Sequence, residues 1–168
     1  MSPLKKLYAL SGALSGLFLV LIGLLILAQM VARLFGTLVP SSDELAAYSM
    51  AASGFLGLPY ALQRGAHIRV SLLYKLFSAR GNHVMEILST LVGLVIALYL
   101  AWYCALFTLE SYEFKEVSSG MLPIPMWLPQ LAMSLGTVIL VVALLDRLVS
   151  VARGQRFEAE NTDAVMSE

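Results

Sequence analysis

Residues 41–69 read SSDELAAYSMAASGFLGLPYALQRGAHIR. Two acids, Asp43 and Glu44, open the stretch, 19 uncharged residues from Leu45 to Gln63 follow, and Arg64, His67 and Arg69 close it. An uncharged run of that length between charged ends matches a membrane span better than a core helix of a soluble domain. Ser41 and Glu44 have the spacing of a capping box, in which the hydroxyl accepts from the Glu44 amide and the carboxylate reaches back. With Pro40 just ahead, this predicts a helix beginning at Ser41 or Ser42. Pro59 removes one helical hydrogen bond and predicts a bend near the end of that helix. Ser49, Ser53, Gly54 and Gly57 form a stripe of small residues that lets a neighbouring helix approach closely.

The rest of the chain has the same character. Of its 168 residues, 59% are hydrophobic and 13% are charged, with a mean hydropathy of +0.81. A soluble domain carries roughly 25% charged residues, so the missing charge points to an integral membrane protein. The length suits one compact helical domain, residues 1–152, followed by a polar tail over 153–168. Cys104 is the one cysteine, which excludes an internal disulfide and a C-x-x-C motif.

Working outward, Leu7–Ala32 is uncharged for 26 residues, too long for the apolar region of a signal peptide, and predicts an uncleaved first span. Ser11, Gly12, Ser15 and Gly16 repeat the small-residue spacing there. A third run, Ile87–Leu109, has Tyr99, Trp102, Tyr103 and Phe107 in its second half, an aromatic anchoring belt. Pro123, Pro125 and Pro129 forbid a regular helix just ahead of the last apolar run and suit an extended turn. The predicted spans are 7–32, 42–63, 87–109 and 129–147. Between the second and third, residues 68–80 alternate apolar and polar stripes and predict a short amphipathic helix in the membrane interface. Arg64, His67, Arg69, Lys75 and Arg80 would anchor that segment.

Four spans put both termini on one side. Nine of the 11 lysines and arginines fall on that side, and only Arg33 and Lys115 on the other. Positive residues mark cytoplasmic loops, so both termini are predicted inside and the acidic, proline-rich loop after residue 109 outside. The interiors of the predicted spans hold no Asp, Glu, Lys, Arg or His: Asp43 and Glu44 stand at the start of the second, and Asp146 and Arg147 at the very end of the last. Intramembrane ionisable groups mark proton and ion pathways, and their lack argues against a self-sufficient coupled exporter. His67 and His83 share one loop and cannot clamp a haem within a bundle. Ser118, Ser119 and Gly120 make no nucleophile elbow, and no enzyme activity is predicted.

DELAAYSMAASGFLGLPYALQRGAHIRVSLL resembles the signature region of the small membrane subunit of TRAP transporters, the DctQ or Q family. The matching features are Asp43 and Glu44, Phe55-Leu56-Gly57, Gly65 and His67-Ile68, with a later Ile-Pro-x-Trp core at Ile124, Pro125 and Trp127. Pro59 and Ser71 depart from the family pattern, where a small helix-former and an aspartate are usual. The resemblance implies a component of a tripartite transporter of the bacterial inner membrane. In that system a periplasmic protein binds an organic acid, such as a C4-dicarboxylate or sialic acid. A large permease subunit carries substrate and sodium, and the small subunit scaffolds it. No cofactor is then expected in this chain, and its partners are the large subunit, the periplasmic binding protein and the bilayer, not nucleic acid. On this reading Ser49, Ser53, Gly54 and Gly57 face the large subunit, and Arg33, Asp43, Glu44, Glu113 and Glu116 dock the binding protein. The alternative is a stand-alone four-helix transporter or channel.

Overall fold

Four uncharged runs become four helices. The computed structural model describes residues 3–64 and 79–153. They form α1 (Pro3–Leu34), α2 (Ser42–Gln63), α3 (Ala79–Glu113) and α4 (Trp127–Ala152), each long and apolar enough to cross a membrane. The protein is an all-α, four-span membrane protein. Of the predicted interfacial helix, residues 68–78 lie outside the described segments, while Ala79 and Arg80 belong to the first turn of α3.

The helices run past the uncharged segments that announce them. α3 has 35 residues, beginning before His83 and Glu86 and ending beyond Glu110. At 1.5 Å per residue this is about 52 Å, against a hydrocarbon core of about 30 Å. Its charged ends therefore belong to the headgroup layer, where a helix continues without placing charge in lipid. α4 starts at Trp127, so that Pro129 sits in the first turn, where its missing N–H has no helical acceptor to lose. α2 continues through Pro59 to Gln63, with Pro59 buried.

In space the order is α1, α2, α4, α3. α1 packs on α2, α2 on α4 and α4 on α3, while α1 touches α4 only slightly. The result is a layer with two inner helices and two flanking ones, rather than a square bundle in which every helix has two full neighbours. Tyr8, Leu62, Leu94, Ala97, Ala143 and Leu144 form its buried cluster. α1 turns its surface inside out, burying Tyr8 and Ser11 while Leu10, Leu17, Leu24 and Leu27 stay exposed. In a bilayer the surroundings are as apolar as leucine, so close packing and hydrogen bonds, not hydrophobicity, select the buried face.

Candidate functional site

The small residues of α2 divide between two roles. Ser15 and Ser53 are linked twice: Ser15 Oγ donates to the Ser53 carbonyl at 2.7 Å, and Ser53 Oγ donates to the Ser15 carbonyl at 2.9 Å. Ser11 Oγ donates to the Leu56 carbonyl. A side chain on Gly57 would meet Ser15 Oγ at 2.9 Å, and one on Gly12 would meet the Tyr60 ring at 2.6 Å. Hydrogen bonds of this kind between membrane helices contribute about 0.6 kcal/mol each. They correct the reading of Ser53 and Gly57 as a surface for another subunit, because α1 of the same chain occupies that seam. Ser49 is buried and donates to the Leu45 carbonyl one turn back. Gly54 alone of the four has open space around it.

On its other side α2 meets α4 at a point that the sequence did not flag. Pro59 has no N–H for the carbonyl of Phe55, the residue four positions earlier. Gly136 of α4 comes up against that carbonyl, and a Cβ on Gly136 would lie 2.6 Å from Phe55 C and O. Next to it, Thr137 is fully buried and turns its hydroxyl onto the Met133 and Ser134 carbonyls of its own helix. Glycine and proline, one on each helix, together allow backbone-to-backbone approach at the centre of the layer.

Beyond α3 the chain folds into a hairpin. Ser118 N donates to the Ile124 carbonyl at 2.8 Å, Met126 N to the Glu116 carbonyl at 2.9 Å, and Val117 bridges Pro125. Lys115 has φ 52°, a left-handed turn just after α3. Tyr112 and Trp127 close the base edge to face, with ring centroids 5.8 Å apart. This hairpin takes both partners of the predicted capping box. Ser41 is the residue before α2, but its φ is 55° and its side chain makes no cap bond. Instead its Oγ accepts from Leu122 N at 2.9 Å, and Ser118 Oγ donates to the Glu44 carboxylate at 3.1 Å. The capping-box expectation is therefore corrected. A loop 74 to 81 residues away supplies better-placed partners than the helix's own amides.

Glu44 is consequently an internal brace, half-buried against Ser118 and Gly120. Of the other residues expected to dock a partner at this end, Arg33, Asp43, Glu113 and Glu116 are exposed. Glu116 also accepts from Ser111 Oγ at 2.6 Å.

The opposite end gathers charges that flank the uncharged runs. Arg147 of α4 pairs with Glu86 of α3 at 3.5 Å, with both side chains largely buried. Arg64, just after α2, lies over the Tyr60 ring at 5.2 Å. Lys5, Tyr8, Gln63, Asp146 and Arg147 line a cavity between α1, α2 and α4. No local pattern links Glu86 to Arg147, which are 61 positions apart. Their partnership depends on α3 packing against α4. His67, Arg69 and Lys75 lie outside the described residues, and of Arg80 only the backbone is described.

Among the described residues no three His, Cys, Asp or Glu side chains converge as metal ligands. What the arrangement offers is open helix faces: the outer side of α2 at Met50 and Gly54, and the flanks of α1 and α3. In a comparison with protein-family models, residues 22–154 match Tripartite ATP-independent periplasmic transporters, DctQ component. No curated protein matches.

Proposed function

Because the chain belongs to the DctQ component family of the tripartite ATP-independent periplasmic transporters, we propose that it is the scaffold of such a transporter. It would serve uptake of an organic acid across the bacterial inner membrane. The observation that carries this reading is the family match, which runs from the middle of α1 through the whole of α4. The fold supports it physically. The middles of the spans offer no Asp, Glu, Lys, Arg or His to bind a coupling ion, which supports leaving substrate and sodium to a large permease subunit. An open layer with two exposed flanks is suited to widening that subunit's footprint. A mobile transport domain needs such a fixed frame to move against.

Within this reading the large subunit packs on the outer face of α2, centred on Gly54 and flanked by Met50, which is 70% exposed. A glycine with open space lets a partner helix approach to backbone distance. Asp43, Glu113, Glu116 and Arg33 share the end assigned to the periplasm and face the substrate-binding protein there. The lysine and arginine distribution supports a cytoplasmic position for both termini.

The test compares two glycines three residues apart. Gly54→Leu should abolish co-purification with the large subunit, and uptake with it, while the isolated chain stays folded. Gly57→Leu should unfold the α1–α2 seam itself. A Gly54→Leu variant that still co-purifies and supports uptake would remove α2 from the subunit interface. Normal uptake in cells lacking this chain would overturn the scaffold reading altogether.

A further inference from the structure

At the end of the layer opposite the hairpin, helix packing leaves polar groups unused. Lys5 and Tyr8 of α1, Gln63 of α2, and Asp146 and Arg147 of α4 line a cavity of about 70 Å³. A single water needs only about 10–15 Å³, so the space admits a larger polar group. Its depth is fixed by the sequence. Lys5 lies just before the uncharged run that starts at Leu7, Gln63 ends the uncharged run of α2, and Asp146 follows the one that closes at Leu145. All three mark the level where hydrocarbon gives way to headgroups.

Two donors on residues that line this space have no taker among the described residues. Tyr8 is only 2% exposed, and among the described residues its hydroxyl has no hydrogen-bond partner. Arg147 spends a terminal nitrogen on Glu86, but its Nε is buried and, among the described residues, unpaired. A buried donor without an acceptor is destabilising, and an oxyanion would satisfy both. Asp146 lines the same cavity, however, and would repel a lone anion. A group that carries an oxyanion and a cation together meets both demands.

We propose that this cavity binds the phosphoethanolamine headgroup of a membrane phospholipid. A phosphate oxygen accepts from Tyr8 Oη and Arg147 Nε, Lys5 adds positive charge at the mouth, and the ammonium group pairs with Asp146. Soluble glycerophosphoethanolamine shares that chemistry. The lipid is favoured because the site sits at headgroup depth. Such a lipid would join α1 to α4, two helices that otherwise barely meet.

The full chain, purified with its co-expressed transporter components and stripped of lipid, provides the test. Native mass spectrometry and thermal unfolding would be followed against added phosphatidylethanolamine, phosphatidylglycerol and glycerophosphoethanolamine. Wild type should retain phosphatidylethanolamine in preference to phosphatidylglycerol and unfold at a higher temperature with it. Tyr8→Phe, which keeps the ring, should bind it about tenfold more weakly, the usual loss for a hydrogen bond to a charged group. Asp146→Asn should erase the preference over phosphatidylglycerol. Lys5→Ala, at an exposed position, serves as the second variant should Tyr8→Phe fail to fold, and should also weaken binding. Undiminished phosphatidylethanolamine binding by Tyr8→Phe or Lys5→Ala would overturn the site. Equal retention of the two lipids by wild type would overturn the headgroup assignment. Saturation by glycerophosphoethanolamine at lipid-like concentrations would overturn the lipid as its source.

Discussion

Gly136 shows most directly how one residue fixes the geometry of the layer. The atoms that a new Cβ would meet are backbone atoms of Phe55 and Leu56, which cannot rotate away. Gly136→Ala should therefore destabilise the fold by about 1–3 kcal/mol, the usual cost of forcing extra volume into a packed contact. Gly54→Ala, with nothing within 4 Å among the described residues, should change stability by less than about 0.5 kcal/mol. Unfolding midpoints in mixed micelles would separate the two. Glu44 and Ser118 offer a second residue-scale test, since their 3.1 Å bond joins α2 to the hairpin. A double-mutant cycle of Glu44→Gln and Ser118→Ala should return a coupling of about 1 kcal/mol, toward the low end for a charged acceptor because the site is half-exposed. A coupling near zero would mean that the contact does not stabilise the loop.

Among the elements, the hairpin between α3 and α4 depends on α2 for its position. Ser41 holds the Leu122 amide, so Ser41→Ala should speed hydrogen exchange at Leu122 while leaving amides in the middle of α2 unchanged. Unaltered exchange at Leu122 would show that the strand-like pairing of Ser118 with Ile124 suffices. The α3–α4 pair has its own fastening in Glu86 and Arg147. Breaking it by Glu86→Gln should lower stability by about 1–2 kcal/mol, more than an exposed pair and less than a fully buried one. The exchanged pair Glu86→Arg with Arg147→Glu should recover part of that loss. A double variant no more stable than its single parents would show that the two charges do not act on each other.

For the whole molecule the decisive property is the open order α1, α2, α4, α3. It puts α1 and α3 at the flanks, where apolar side chains face lipid or a partner, and leaves the middle of the layer for backbone-close packing. Orientation in the membrane can be checked in a Cys104→Ala background. Ser119→Cys should react with an impermeant thiol reagent in intact cells, and Lys6→Cys only after permeabilisation. The opposite pattern would reverse the assigned topology and move the exposed acids to the cytoplasm.

Much of this architecture was legible before any coordinates. Uncharged runs such as Leu45–Gln63 give the number and place of the helices, because a bilayer forbids unpaired backbone and unpaired charge within its core. The charge asymmetry of the loops gave the expected topology, and residues such as His67-Ile68 and the Ile124-Pro125 core pointed to the family. A local pattern could not assign partners across the chain. Ser41 and Glu44 have the spacing of a capping box, yet the hairpin claims both. Ser53 and Gly57 have the look of an external face, yet α1 fills it. Glu86 with Arg147, and Gly136 with the carbonyl freed by Pro59, give no signal in sequence at all. The physical reason is the same in each case. In lipid every helix face is apolar enough to lie anywhere, so composition sets what crosses the membrane, while a few small and polar side chains, meeting only in three dimensions, decide which faces touch.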